Sequence, residues 1–199
     1  MNYSKTYLSA FVAGVCIALG GACYLSLDNK IIGAFMFSLG LLTICINEFS
    51  LFTGKVCFAR KLDDIKHLVI IWIANFLGCN FIAVILRIAK PELIQKAAQM
   101  CDIKSAQGLM VIPLGFMCNI FIYFVVNNYK NLYDTKKTIL LMMCVAGFIL
   151  CGFEHCIANM FYFAVAGKVD VVYILLNTLG NILGGLGIAI VCDAISERG

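Results

Sequence analysis

The residues most able to do chemistry lie at 152–162, where Glu154, His155 and Asn159 interrupt an otherwise apolar run, GFEHCIANMFY. An ionisable group inside a membrane-length apolar segment is costly, and it commonly marks a substrate or proton path. Histidine suits such a path because it titrates near neutral pH. A histidine that only hydrogen-bonds a neighbouring helix is the plainer alternative. A second polar break falls near 48–55, with Glu48, Thr53 and Lys55. A membrane enzyme would need paired carboxylates, a metal cluster, or a nucleophile with its base. Glu48 and Glu154 are the only carboxylates deep in apolar runs, and His67 is the only other histidine. The residues therefore argue against an enzyme, a metal or a cofactor.

These residues must be positioned by membrane helices. The chain is 62% hydrophobic and 13% charged over 199 residues, whereas soluble domains carry about a quarter charged residues. A span needs about 20 apolar residues. Six runs qualify: 7–27, 31–47, 67–89, 108–126, 138–166 and 171–195, with the second and fifth interrupted. The short N-terminus lacks a signal-peptide cleavage pattern, so the first run is expected to be retained. Lys and Arg number nine on the side of both termini and six on the other, which predicts cytoplasmic termini in the cell membrane. Most of the 11 cysteines lie in apolar runs without CxxC or zinc spacing, and read as packing residues. No basic stripe with interleaved aromatics suggests nucleic acid.

The two halves resemble each other. A shift of 106 places Glu48 on Glu154, Cys45 on Cys151, and Asn75 and Gly78 on Asn181 and Gly184. Three spans per half make the repeats inverted, a transporter and channel architecture whose sites lie at broken helices. One all-α transmembrane domain is expected over 1–199, with repeats at about 7–89 and 107–195. The breaks, near 48–55 and 154–160, should line the pore, because irregular backbone at that depth must be buried in protein or face a cavity. Asn75, Gly78, Asn181, Gly184 and Gly185 read as supports: small residues for close helix approach, and amides for freed backbone groups.

The run 153–161 resembles the FEHSIANMF signature of the formate/nitrite transporter family. Leu51, Phe52, Thr53 and Gly54 are similar to that family's LFTG loop, and Gly14, Gly20, Gly115 with Asn119, and Asn181 with Gly184 and Gly185 also match. The resemblance implies an aquaporin-like protomer in a homopentamer within the bilayer, one pore each, conducting formate, nitrite, hydrosulfide, lactate or acetate, or their acids. It implies His155 as central histidine, Thr53 as loop threonine, and Phe37, Leu41, Leu51 and Phe148 as apolar constrictions. Lys104 falls within one residue of the family's lysine ahead of the fourth span. On this basis His155 hydrogen-bonds the substrate and relays a proton, with Thr53 opposite, and flux rises as external pH falls. Glu154 is expected to orient the loop, and Asn119 and Asn159 to anchor the imidazole or the loop. Lys55 and Lys104 would draw anions into the two mouths.

The chain departs from the family pattern at Ser50, where Glu is common, and at Lys55, where Asn is common. It also lacks the longer family termini, which argues against a terminal gate. An aquaporin-like facilitator of neutral solutes is the alternative. That class uses Asn-Pro-Ala at its breaks, and Pro91 and Pro113 lie elsewhere.

Overall fold

The computed structural model describes residues 3–131 and 135–196. Among these, the chain is all helical: α1 (Tyr3–Ser26), α2 (Lys30–Ile46), α3 (Phe52–Val56), α4 (Leu62–Ala89), α5 (Glu92–Ser105), α6 (Val111–Asn131), α7 (Thr135–Leu150), α8 (Cys156–Ala166) and α9 (Val171–Ser196). A single 3₁₀ turn, Gly108–Met110, leads into α6. Four stretches are long and apolar enough to cross a membrane: Ser4–Ser26, Leu62–Ala89, Gly108–Tyr129 and Val171–Ser196. The remaining apolar sequence is divided between the pairs α2/α3 and α7/α8, with unwound backbone at 47–51 and 151–155. These breaks are shorter than expected from sequence. Lys55 and Met160 already sit inside the helices that follow them.

Two elements differ from the expected spans for local reasons. Helix α4 starts five residues before the expected 67. Asp64 Oδ2 accepts the backbone N–H groups of Arg60 and Lys61, both at 2.8 Å, and so caps a turn too charged to read as a span. The connection 90–107, between the third and fourth expected spans, contains α5. It buries Leu93, Ala97 and Cys101, four residues apart on one face, while its other face is polar. Lys96 reaches Asp28 in the α1–α2 turn at 3.0 Å, and Asp102 pairs with Lys168 in the α8–α9 turn. All 11 cysteines are free, and seven of them are buried.

Helix α1 packs along α4, and α6 along α9, while α2 meets α7. The first two contacts depend on glycine. A Cβ on Gly78 would lie 2.1 Å from Phe11 O, and a Cβ on Gly184 would lie 2.1 Å from Phe116 O. The backbones approach so closely that no side chain fits between them. Helix α3 touches α4, α6 and α9, and α8 touches α1, α4, α5 and α9. Each short helix is therefore enclosed by elements from both halves of the chain.

Gly78→Ala and Gly184→Ala should each destabilise the folded protein, by about 1–3 kcal/mol for an overpacked contact. Gly147→Ala is the control, since its Cβ would meet only the Phe121 ring at 3.7 Å. Thermal unfolding of the three variants in detergent checks this: the first two should melt lower, and the control should melt near the parent.

Candidate functional site

The site forms where α3 and α8 begin. After α2, Glu48 takes a left-handed φ of 55°, and Phe49 N–H returns to Ile44 O at 3.0 Å. After α7, Gly152 takes a φ of 71°, and Phe153 N–H returns to Phe148 O at 2.9 Å. Leu51 and His155 then occupy the extended N-cap positions of α3 and α8. All these correspondences run at a shift of 104, not 106. The structural counterpart of Glu154 is thus Ser50, and Glu48 corresponds to the turn residue Gly152. Glu48 is exposed, which corrects its expected place deep in a span. It lines a cavity together with Lys55 and Lys137.

A break frees N–H and C=O groups that water cannot reach, and each would be costly if left alone. Two fully buried asparagines take them up. Asn75 Oδ1 accepts Phe52 N–H at 2.9 Å, and its Nδ2 donates to Ser50 O at 3.1 Å and Ala10 O at 2.6 Å. Asn181 Oδ1 accepts Cys156 N–H at 2.8 Å, and its Nδ2 donates to Glu154 O at 2.9 Å and Gly115 O at 2.8 Å. In both cases one amide grips the first N–H of the short helix and the carbonyl two residues before it. Asn177, one turn earlier on α9, adds a second donor to Glu154 O at 2.8 Å. Its position four residues before Asn181 was available in the sequence as a shared helix face, but it was not singled out.

The clamped helix starts bring Thr53 and His155 together, with Thr53 Oγ1 2.9 Å from His155 Nε2. His155 Nδ1 accepts Ala158 N–H at 3.2 Å and so caps α8. That bond needs a lone pair on Nδ1, which assigns the proton of the neutral ring to Nε2, where it donates to Thr53. The imidazole stacks on Phe148 (centroids 6.1 Å, interplanar angle 18°), and Phe148 meets Phe37 edge to face at 6.5 Å. Leu41 and Leu51 line the inner wall of a cavity of about 430 Å³ that also carries Lys55 and Lys137. Phe37, Leu41, Leu51 and Phe148 are all buried.

The remaining sequence candidates divide between the two short helices. Asn119 Nδ2 donates to Thr53 O at 3.1 Å, so this residue holds α3. Asn159 Nδ2 lies 2.9 Å from Glu154 Oε2, 2.7 Å from Asn177 Oδ1 and 3.2 Å from Tyr173 Oη. Lys104, placed by the last turn of α5, forms an ion pair with Glu154, and Gln107 Nε2 donates to Glu154 Oε1 at 2.9 Å. The Glu154 side chain is 3% exposed and that of Lys104 15%. The carboxylate therefore has a cation and two amides around it, as a buried charge requires. In the first half the equivalent position is uncharged: Ser50 N–H donates to Ser9 Oγ at 2.9 Å, and the two hydroxyls are 3.3 Å apart. Gln107, Tyr173 and Ser9 were not anticipated, because no local motif marks them and only the fold brings them to the breaks.

The formate/nitrite transporter family matches residues 1–194. The chain is 27% identical over 182 residues to the formate channel FocA of Haemophilus influenzae, covering 78% of this chain and 64% of that protein. It thus spans under two thirds of that relative's length. It is 26% identical over 211 residues to the nitrite transporter NirC of Escherichia coli, covering 90% of this chain and 78% of NirC. These relatives are channels and transporters, not enzymes. A solved structure titled "Pentameric formate channel with formate bound" superposes with a TM-score of 0.84 at 24% identity, covering 99% of this chain and 98% of the other. An "FNT family ion channel" superposes at 0.89 with 22% identity, covering 98% and 91%. At those identities the likeness is one of fold. With the match running over nearly all of its length, the chain belongs to the formate/nitrite transporter family.

Proposed function

We propose that the protein is a pH-dependent channel for small monovalent anions or their conjugate acids: formate, nitrite, hydrosulfide or short monocarboxylates. It is read as a single transmembrane domain of six spans, two inverted repeats at about 7–89 and 107–195, with broken second and fifth spans. Its assembly is a homopentamer with a pore in each protomer, lying in the cell membrane with both termini cytoplasmic. The formate and nitrite relatives and the pentameric neighbour support this reading. The observation that carries it is the Thr53–His155 contact between two clamped helix starts, flanked by Phe37 and Phe148 and approached past Leu41 and Leu51.

Moving a bare anion into a low-dielectric slit costs on the order of 20 kcal/mol. Two features offset that cost here. Helix N-termini favour negative charge, and both short helices start at the site. The second feature is His155 with Thr53, which offers N–H and O–H donors to an anion oxygen. Giving up the Nε2 proton from the neutral ring would leave an imidazolate. Net protonation of the substrate therefore needs a proton on Nδ1 first, and that proton must displace the Ala158 N–H bond. In this reading His155 assists protonation by donating a hydrogen bond at rest, and by relaying a proton when the first turn of α8 loosens. Lys104 supports the site through Glu154, and Lys55 places positive charge at one mouth.

Stopped-flow uptake into proteoliposomes tests the function. Weak-acid flux should grow as external pH falls, and His155→Phe should lower it by at least on the order of tenfold and flatten its pH dependence. Flux of water or glycerol without any weak acid would move the chain to the neutral-solute class. The ion pair makes a separate prediction. Lys104→Met leaves a buried carboxylate without its cation and should cost about 3–5 kcal/mol, whereas Lys104→Met with Glu154→Gln should recover much of it. Thermal unfolding of the single and double variants reads the difference.

A further inference from the structure

The far ends of the two short helices differ, and a cation sits on the last carbonyls of α8. Arg87, half-buried in the last turn of α4, places Nη1 3.3 Å from Ala164 O and 3.4 Å from Val165 O, among the last carbonyls of α8. Helix α8 ends at Gly167, whose φ is 67°. A Cβ there would lie 2.4 Å from Arg87 Nη1, so the glycine both permits the turn and leaves room for the guanidinium. Arg60 Nη1 lies 2.9 Å from Cys57 O and 2.9 Å from Ala59 O, just past α3, and its Nη2 is 2.7 Å from Asp193 Oδ2. Lys168, the other cation near the end of α8, is engaged by Asp102 and by Ala98 O.

We infer that Arg87 is a positioning residue that holds the carbonyl end of α8 and thereby keeps the potential at the Thr53–His155 contact positive. The inference rests on the function proposed above. The last carbonyls of a helix carry roughly half a negative charge, opposite in sign to the N-terminal pole. Left bare in an apolar surrounding, they draw down the field that an anion meets at the other end. A guanidinium on those carbonyls cancels them, and the N-terminal pole acts alone. Helix α8 has 11 residues, so Arg87 stands about 16 Å from His155. Over protein of low dielectric, that distance is not screened as it would be in water. Helix α4 also carries Asn75, which grips the start of α3. One helix therefore fixes the start of one short helix and the end of the other.

A potential acts on an anion and not on its neutral acid, and that distinguishes this role from a merely structural one. The test compares formate flux through the parent, Arg87→Met and Arg87→Lys in proteoliposomes at neutral and acid pH, with water permeability and thermal unfolding measured alongside. Arg87→Met should lower formate flux at neutral pH by roughly three- to tenfold, the range of a cation–helix-end interaction. The loss should shrink at acid pH, water permeability should be unchanged, and Arg87→Lys should retain most of the flux. Equal losses at every pH, or no loss at all, would overturn the inference while leaving the channel function standing. Parent vesicles that pass water but no formate or other weak acid would overturn the proposed function and this inference with it. Arg87→Gln, which keeps a hydrogen-bonding head without the charge, carries the same comparison if Arg87→Met does not fold.

Discussion

The structure depends on the need to satisfy backbone groups where two helices are interrupted. At each break the chain leaves the helix at a left-handed residue and starts a new helix from an extended N-cap residue, Leu51 or His155. Backbone N–H and C=O groups next to those N-caps need partners from elsewhere. Asn75 and Asn181 each take up one N–H and two carbonyls, and in doing so they tie the break to α4 and α9 and to a carbonyl of α1 or α6. A side-chain amide suits this task because it donates and accepts in one plane without bearing charge. The close helix contacts at Gly78 and Gly184, three residues beyond each asparagine, bring the amides within reach of those carbonyls.

On this frame the two halves have diverged where charge is concerned. The second half places Glu154 beside its N-cap histidine and surrounds it with Lys104, Gln107 and Asn159. The first half has Leu51 as N-cap, and a pair of serine hydroxyls in place of the ion pair. The imidazole thus comes from the charged half and the hydroxyl from the uncharged half, and they meet at 2.9 Å. In the neutral half the Thr53 carbonyl is held by Asn119 Nδ2 and the Cys57 thiol. The charged half orders its loop through a network reaching α5 and α9. At the outer end of α8, Arg87 lies on the last carbonyls, whereas near α3 Arg60 is paired with Asp193.

Much of this was legible in the chain because membrane burial imposes strong patterns. Apolar run lengths marked the long helices α1, α4, α6 and α9 to within a few residues at most ends. Polar residues in those runs pointed to the breaks, and the Asn–Gly spacing pointed to the supports. Helix α5 escaped because it is too polar and too short for a span, although Leu93, Ala97 and Cys101 repeat every fourth residue. Glu48 and Glu154, like Asn75 and Asn181, pair at a shift of 106, whereas the backbone turns at the breaks align at 104.

The sequence by itself determined that this is a helical membrane chain of a transport family, that two of its apolar runs are interrupted, and that His155 and Thr53 stand at the interruptions. Those properties follow from composition, run length and local motif, which need no knowledge of distant contacts. Only the tertiary structure decided that Thr53 and His155 touch across 102 residues of chain, that Lys104 is neutralised by Glu154, and that Asn119 holds α3 rather than the imidazole. It also decided that Arg87 of α4 reaches the last carbonyls of α8. The reason is physical. A buried polar group takes whichever partner the packing presents, and that partner lies in space, on a helix whose distance along the chain carries no mark of the contact.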